Sequence, residues 1–383
     1  RWYNTGRSCT ERAAQADPTA EREVAAVKPY GYGSYRGRSR LRTVLKTIIV
    51  LLAVILVLAV AALLFLQRYM VFSADGVRFE LPFLQQDGGD PAEEDPAVLV
   101  TEPPVVVTPT PTPAPEYLRA VELPRSALYD GTAEDQVSSA GGNAALFDMK
   151  GDDGSLGYVS SLKLALDIHA SASDSALNNA IEELNGGELY TIARVSCFRD
   201  NILPYYRNDL ALRTNSGNNW KDDERVRWAS PADETVREYL AGVCVELAEL
   251  GFDEILLDNA GYPTRGSTAN MRVGADYDPG NLGEAVEAAY AAISEALEPY
   301  GVKLSIAATA DTVTEGEDPA SGQSLRMLVR YAGRVWLSGT PEEAESWRDA
   351  LGTAGLRDPE VNCVVSGASA GGSSGSWALL MEE

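Results

Sequence analysis

The feature that most constrains this chain is the alternation of short apolar runs with amphipathic helical patterns across residues 116–383. This alternation predicts strands joined by crossover helices, and therefore a parallel sheet. The segment has 268 residues, close to the about 250 residues typical of a (β/α)8 barrel. We therefore predict an α/β fold, a (β/α)8 TIM-type barrel with an irregular C-terminal third, and an open doubly wound sheet as the alternative. The eight strand-like runs are Ala144–Asp148, Leu189–Val195, Arg225–Trp228, Glu254–Asp258, Lys303–Ala308, Arg334–Leu337, Asn362–Val365 and Trp377–Met381.

Helical patterns separate several of these runs. The polar stretch from Arg199 to Glu224 shows no clear helix, and we interpret it as an insertion on the substrate side. No GxGxxG or GxxxxGK[ST] loop is present, which disfavours a nucleotide-binding sheet. The predicted helices are Asp174–Leu184, Pro231–Leu250, Leu282–Tyr300, Gln323–Tyr331 and Pro341–Leu351.

The run GFDEILLDNAGYP at Gly251–Pro263 carries the strongest candidate for chemistry. A helical pattern ends at Gly251, and the strand that follows ends on Asp258. Barrel enzymes carry their active sites at the carboxyl ends of the strands, so we predict that Asp258 is a catalytic carboxylate. The alternative is that Asp258 caps a loop or pairs with a neighbouring arginine.

Four segments carry a resemblance to a known family. They are Asp148–Gly154 (DMKGDDG), Tyr190–Asp200 (YTIARVSCFRD), Arg227–Pro231 (RWASP) and Gly251–Pro263. Together they resemble the glycoside hydrolase domain family related to the α-amylase-type (β/α)8 barrels. The resemblance implies a barrel fold and the hydrolysis of glycosidic bonds.

The resemblance also implies that Asp148, Lys150, Arg194 and Asp258 lie at strand ends at one end of the barrel, around one pocket, with Asp258 in the place of the nucleophilic carboxylate. It places Ala307 where the family carries an acid. The predicted catalytic residues are Asp258, Arg194, Asp148 and Asp311, and the predicted substrate-binding residues are Lys150, Asp152, Asn259, Tyr262 and Trp228.

Glycoside hydrolysis passes through an oxocarbenium-like state and needs one ionised and one protonated carboxyl group. Asp258 can be the first, and a nearby Arg194 would keep it ionised, although Arg194 can equally form a structural ion pair. The proton donor is expected among Asp311, Glu315 and Glu317, after the fifth predicted strand.

Composition excludes several classes of ligand. The net charge of −24 would repel nucleic acid, so no nucleic-acid partner is predicted. The single His169 has no partners at triad or metal-site spacing, and we interpret it as a surface-loop residue. Cys197, Cys244 and Cys363 lack CxxC spacing and are predicted to be buried hydrophobic residues, with one disulfide pair as the alternative. Neither a metal nor an organic cofactor is predicted.

The N-terminal part predicts a membrane anchor. Residues 1–47 carry ten Lys/Arg and four Asp/Glu and are predicted to be a disordered cytoplasmic tail. Ile48–Leu66 is an uncharged apolar run of nineteen residues, long enough to span a bilayer. The basic residues before it predict a cytoplasmic N-terminus. A cleaved signal peptide is the alternative. Residues 67–115, rich in Pro and Thr, are predicted to be an extracellular stalk.

The sequence therefore predicts a single-pass protein of the cell membrane, with an extracellular glycoside hydrolase that cleaves a polysaccharide or oligosaccharide through paired carboxylates. Its expected partners are the carbohydrate and the lipid bilayer. The alternative is a barrel without catalysis that binds carbohydrate as a cell-surface or structural module.

Overall fold

The computed structural model describes residues 70–73, 76–79, 116–367 and 374–381. Met70–Ser73 and Gly76–Phe79 pair as a two-stranded antiparallel hairpin. Within the described ranges, no helix is both long and apolar enough to cross a membrane. The predicted span Ile48–Leu66 lies outside the described residues, as do the predicted tail and most of the predicted stalk.

Eight parallel strands close into one barrel. Each strand pairs with the next along the chain, and the last strand pairs with the first through Trp377 and Arg119. This closure excludes the doubly wound alternative. The barrel strands are β1 Arg119–Leu123, β2 Ala144–Lys150, β3 Tyr190–Ser196, β4 Glu254–Asp258, β5 Lys303–Ala308, β6 Arg334–Ser338, β7 Cys363–Ser366 and β8 Ser376–Leu379.

Each connection between consecutive strands from β1 to β7 contains at least one helix. In the connection between β7 and β8, residues 368–373 lie outside the described residues. The longest connections carry α5 and α6, which pack against each other. The helices are α1 Ala133–Ser139, α2 Lys163–Asp167, α3 Leu177–Asn185, α4 Leu203–Tyr206, α5 Glu234–Glu249, α6 Leu282–Leu297, α7 Ala310–Thr314, α8 Leu325–Tyr331, α9 Ala344–Ala354 and α10 Pro359–Asn362.

The first barrel strand is one that the sequence analysis missed, and the predicted strand Arg225–Trp228 is wrong. That segment lies in the loop after β3, where Lys221 and Arg227 form an isolated antiparallel bridge. Arg225 has a positive φ of 68°, which fits a turn and not a strand. The alternating pattern of these residues is therefore satisfied by a small hairpin over the barrel.

The residues at the two ends of α5 explain how the chain enters β4. Asp233 caps α5 by accepting hydrogen bonds from the backbone N–H groups of Thr235 and Val236. The helix ends before Gly251, whose φ of 88° is a conformation that glycine adopts without steric cost. The chain then turns directly into β4, which delivers Asp258 to the carboxyl end of the barrel.

The interior of the barrel has an ionic lower layer and an apolar middle layer. Near the amino ends of the strands, Glu254 forms an ion pair with Arg334 and accepts a hydrogen bond from the Tyr190 hydroxyl at 2.8 Å. Leu146, Ile192 and other buried apolar side chains lie above this pair. A layer of buried apolar side chains therefore separates the polar groups at the carboxyl ends from the ion pair at the amino ends.

The three cysteines of the barrel are buried and free, so the predicted hydrophobic role is confirmed. Burial raises the pKa of the Cys197 thiol to about 12, which leaves it protonated at neutral pH. His169 is exposed, as predicted, and its ring contacts the edge of Tyr206.

Candidate active site at the carboxyl end of the barrel

Three predicted residues from three neighbouring strands meet at the carboxyl end of the barrel. Asp148 on β2 stands in register with Arg194 on β3, and Asp258 ends β4 beside the end of β3. Arg194 Nε lies 2.8 Å from Asp258 Oδ2, and its Nη1 lies 2.9 Å from Asp148 Oδ1. The prediction that these side chains share one end of the barrel is therefore confirmed.

Arg194 has a third carboxylate partner in the loop after β2. Its Nη2 donates to Asp152 Oδ1 at 2.9 Å. The same oxygen accepts a hydrogen bond from the Asn259 amide at 3.1 Å, and that amide also donates to the Ser196 hydroxyl at 3.0 Å. Asn259 takes a positive φ of 46°, a conformation that Asn tolerates better than most residues. The two predicted substrate-binding residues Asp152 and Asn259 are thus joined directly to the catalytic candidates.

A second arginine supports the cluster from the loop after β3. Arg199 forms ion pairs with Asp152, with Asp222 at 2.8 Å and with Glu224 at 2.5 Å. Arg125, following β1, contacts Asp148 Oδ2 at 3.2 Å. The loop acids and strand-end acids are therefore held in one network by guanidinium groups, and this network fixes their positions.

The charges of this network are mutually stabilised. Burial alone would lower the pKa of Arg194, but Asp258, Asp152 and Asp148 raise it well above its usual range. For Asp152, burial raises the pKa, but the charge of Arg194 and further hydrogen bonds outweigh that effect and lower it below its ordinary value. Arg194 and Asp152 are consequently both ionised at neutral pH.

Glu122 on β1 has the opposite electrostatic setting. Burial raises its pKa above the usual range, and the charges of Asp148 and Asp258 act in the same direction. The backbone N–H of Met381 and the charge of Arg194 oppose this shift without cancelling it. Glu122 is therefore the carboxyl group near the cluster whose surroundings favour the protonated form.

An open pocket of 590 Å³ lies over the cluster. Its floor includes Leu146, Leu256 and Trp336 from the strands, and Arg194 and Asp258 line its charged side. The loop between β3 and α5 supplies further walls, so the predicted insertion does lie on the pocket side. The pocket joins apolar surface to a few convergent polar groups, the composition of small-ligand sites.

Two predicted substrate-binding residues with aromatic rings, Trp228 and Tyr262, line this pocket but expose little surface. Trp228 is 7% exposed and Tyr262 is 3% exposed. Trp228 Nε1 donates to Asp222 Oδ2 at 3.1 Å, and the Tyr262 hydroxyl donates to the Asp276 carbonyl at 3.3 Å. Both rings shape the walls, and little of either ring is available for stacking on a sugar.

Two other predicted residues lie apart from the pocket. Lys150 has no exposed surface and forms an ion pair with the buried Asp200 at 2.8 Å. A β-bulge between Asp148 and Lys150 turns Lys150 away from the barrel interior, so the side chain supports the wall and presents no surface to a substrate. Asp311 is exposed on α7 and, like Glu122, is not among the residues that line the pocket.

Sequence reasoning missed Glu122, Arg125 and Arg199. The first two follow from the missed strand β1, whose signal was the apolar pattern of Leu118, Ala120 and Val121 before Pro124. Arg199 was within a recognised segment, but its role depends on the folding of the loop after β3. Among the described residues, no group of three or more His, Cys, Asp or Glu is arranged to hold a metal ion.

The fold and the site define a (β/α)8 barrel with a carboxylate-rich pocket at the carboxyl ends of its strands, where enzymes of this fold carry their active sites. Residues 132–335, more than half of the chain, match the family described as "Putative glycosyl hydrolase domain". The chain belongs to this family. A comparison with curated proteins finds no match.

Several solved structures are similar to this chain. A hypothetical protein from Ruminiclostridium thermocellum ATCC 27405 is 26% identical, with 49% of this chain and 96% of that chain covered and a TM-score of 0.42. The PgaB (BpsB) glycoside hydrolase domain from Bordetella bronchiseptica is 13% identical, with 69% and 94% covered and a TM-score of 0.46. A chitinase from Chromobacterium violaceum ATCC 12472 is 18% identical, with 65% and 68% covered and a TM-score of 0.37.

Proposed function

We propose that this protein hydrolyses glycosidic bonds of a polysaccharide or oligosaccharide in the pocket at the carboxyl end of the barrel. The observation that carries the proposal is the contrast between two carboxyl groups. Asp258 is bound to Arg194, whereas the surroundings of Glu122 raise its pKa. Carboxyl groups whose environments differ in this way are the requirement for acid-assisted cleavage of a glycosidic bond. Membership of the glycosyl hydrolase family supports the same reaction.

In the proposed reaction, Asp258 stabilises or attacks the anomeric carbon as positive charge develops there. Glu122 gives its proton to the leaving oxygen, so the bond breaks without releasing an alkoxide. Water then adds its hydroxyl to the anomeric carbon, and the remaining proton returns to Glu122. Arg194, itself held by Asp148 and Asp152, fixes the orientation of Asp258 and places a positive charge beside its carboxylate. Ala307 on β5 offers no acid at the position where the resemblance expects one, which makes Glu122 the better candidate for the donor.

The test is hydrolysis of a panel of α- and β-linked glucans and N-acetylated glycans by the purified chain, followed as the release of reducing ends. Release from at least one polymer, abolished by Asp258→Asn, supports the proposal. Glycan binding without any release of reducing ends would contradict it and favour a barrel that only binds carbohydrate.

For the location of the protein, we propose a single-pass anchor through Ile48–Leu66 with the barrel outside the cell. Five Lys/Arg between residues 36 and 46 precede this apolar run, and Arg68 follows it, which supports a cytoplasmic N-terminus. Protease added to intact cells is expected to remove the barrel and leave the N-terminal tail protected. Protection of the barrel would contradict this orientation.

A further inference from the structure

A second pocket, of 470 Å³, lies on the outer side of the loop after β3. Three cationic side chains line it: Arg213, Lys221 and Arg227. The amides of Asn208 and Asn219 lie beside them and are joined by a hydrogen bond of 2.8 Å. A concave, cationic pocket is an unusual feature on a chain whose net charge is −24.

None of the three cations forms an ion pair with a carboxylate in the part of the chain that the structure describes. Arg213 donates to the Gly217 carbonyl and the Asn219 amide oxygen, both at 3.0 Å. Arg227 donates to the Asn201 amide oxygen at 2.6 Å. These neutral acceptors hold the arginines in place without an ion pair to a carboxylate. The charge of Arg213 acts on Asp209 and Asp276 from beyond ion-pair distance, so it is only partly compensated. Since neighbouring like charges repel, an anion in the pocket would relieve an existing electrostatic cost.

Lys221 is the cation best placed to meet such an anion. Its side chain is exposed, and it makes neither a hydrogen bond nor an ion pair with any described residue. An ammonium group has three donors and no acceptor, so its natural ligand is an anionic oxygen. The pocket therefore combines two fixed guanidinium groups with one unpaired ammonium group.

An exposed aromatic surface borders the same pocket. Tyr205 is 58% exposed, and its neighbour Tyr206, in edge-to-face contact at 5.1 Å, is 49% exposed. The guanidinium carbon of Arg227 lies 5.1 Å from the centre of the Tyr205 ring. Exposed tyrosine rings offer an apolar face with a polar rim, which suits the C–H face of a sugar. The pocket is therefore better suited to an anionic sugar than to a small inorganic anion.

The second pocket shares a wall with the pocket at the carboxyl end of the barrel. The antiparallel bridge between Lys221 and Arg227 forms a small hairpin. Lys221 and Arg227 line the second pocket, and the next residues, Asp222 and Trp228, line the first. Because alternate residues of an extended strand face opposite sides, the two surfaces of this hairpin belong to the two pockets. One glycan lying across the hairpin can contact both.

We propose that the second pocket is a subsite for a negatively charged sugar unit of the polysaccharide that the enzyme cleaves, and that the substrate is therefore an anionic polysaccharide. The part concerning cleavage rests on the proposed hydrolase function. The charge can come from a uronate carboxylate or from a sugar phosphate, because both present anionic oxygens to Lys221 and the two arginines.

The test measures calorimetric binding of three probes of equal length to the full chain carrying Asp258→Asn, which prevents cleavage. The probes are an oligogalacturonate, a phosphorylated gluco-oligosaccharide and a neutral gluco-oligosaccharide. At least one anionic probe should bind about tenfold more tightly than the neutral probe, given the strength of charge-assisted hydrogen bonds. The tighter anionic probe identifies the source of the charge.

Lys221→Gln should weaken binding of that probe about tenfold and leave the neutral probe unchanged. Lys221→Arg should retain most of the affinity, because it keeps the charge. The matched control is Arg119→Gln, which removes one exposed positive charge at the amino end of β1, the opposite end of the barrel. Its affinities should equal those of the parent, and equal melting temperatures of all variants would show that the fold is intact.

Equal affinities for anionic and neutral probes, or equal effects of Lys221→Gln and Arg119→Gln, would overturn the subsite. A wild-type chain that cleaves neutral glycans and ignores charge would overturn the subsite and leave the hydrolase function standing. Lys221-dependent binding of an anionic probe, without hydrolysis of any glycan by the wild-type chain, would support the subsite and contradict the hydrolase function.

Discussion

Arg194 contacts a single oxygen of Asp258 through two nitrogens, with Nη2 at 2.7 Å and Nε at 2.8 Å from Oδ2. The other oxygen, Oδ1, accepts a hydrogen bond from the backbone N–H of Asn259 at 2.7 Å. Both oxygens of the Asp258 carboxylate are therefore fixed by hydrogen-bond donors at the edge of the pocket. A carboxylate fixed in this way needs no reorganisation to face a developing positive charge, which is the property that electrostatic catalysis requires.

Asp258→Asn is expected to remove hydrolysis and leave the fold nearly intact. The amide keeps the size of the side chain but loses the negative charge, and loss of a positioned electrostatic group lowers kcat by about two to three orders of magnitude. Arg194 retains Asp148 and Asp152, so its charge is not left alone. The checks are kcat on the best glycan and thermal melting. An unchanged rate with a large drop in melting temperature would show that Asp258 is only a structural partner of Arg194.

Glu122→Gln is expected to remove the alkaline limb of the pH–rate profile. A proton donor must be protonated, so kcat/KM of the wild type should fall as pH rises through the raised pKa of Glu122. Glutamine cannot donate the proton, and the rate should fall about 10²- to 10⁴-fold. Asp311→Asn is the companion variant. If it lowers the rate and Glu122→Gln does not, the donor lies on the loop after β5.

The same variant has a second readout in stability. Because the folded-state pKa of Glu122 is raised, its contribution to the stability of the folded state is full below the unfolded pKa and is lost as pH rises through the folded pKa. The melting temperature of Glu122→Gln, relative to wild type, should therefore increase as pH rises through this range. A difference that is independent of pH would contradict the assignment of a raised pKa.

Arg194→Gln is expected to destabilise the barrel most at neutral pH. It leaves three neighbouring carboxylates without their shared cation, at a cost of up to about 3 kcal/mol for partly solvated groups. In the wild type, the lowered pKa of Asp152 contributes stability above its unfolded pKa, and this is lost as pH falls through the folded pKa. The gap in unfolding free energy between variant and wild type should therefore narrow in acid. Urea unfolding at several pH values measures it, and a gap that widens in acid would contradict the network.

The sequence predicted seven of the eight barrel strands because each is a short apolar run next to helical periodicity. The missed strand β1 and the wrongly predicted strand Arg225–Trp228 have related causes. β1 carries Arg119 and Glu122 among its five residues, so its pattern is weak in isolation and depends on pairing with β2 and β8. Arg225–Trp228 has a good alternating pattern, but its partner is the adjacent Lys221 and not a barrel strand. Long-range pairing makes β1 a barrel strand, whereas bridges within the loop after β3 keep Arg225–Trp228 out of the barrel sheet. The local sequence pattern reports neither kind of pairing.

For the candidate site, the sequence predicted which strand-end residues come together but not the contacts that the loops make with them. That Asp148, Arg194 and Asp258 meet follows from parallel strands that end at one rim, which is a property of the topology alone. That one arginine binds three carboxylates depends on loop conformation after β2, which the sequence does not display. The burial of Lys150 depends on one bulge that shifts the register of β2 by a residue, and with regular alternation Lys150 would face the same side as Asp148.

The buried position that the bulge gives to Lys150 can be tested by the loss of unfolding free energy when this residue is replaced. Its ammonium group lies 2.8 Å from Asp200 Oδ2 and 2.7 Å from the Ser196 carbonyl, and both charged side chains are fully buried. Lys150→Met keeps most of the side-chain volume but leaves Asp200 as an unpaired buried carboxylate. Removing one partner of a buried ion pair costs about 3 to 5 kcal/mol of unfolding free energy.

The matched control is Lys163→Met, which breaks an exposed ion pair with Asp167 on α2. Exposed pairs contribute about 0 to 1 kcal/mol, so the two variants make the same substitution in opposite environments. Chemical unfolding should separate them by several kcal/mol, and the KM of folded Lys150→Met should equal that of the wild type, since the side chain reaches no substrate. A small loss of stability together with a raised KM would instead return Lys150 to the substrate-binding role that the sequence predicted, and would mean that the bulge opens when glycan binds.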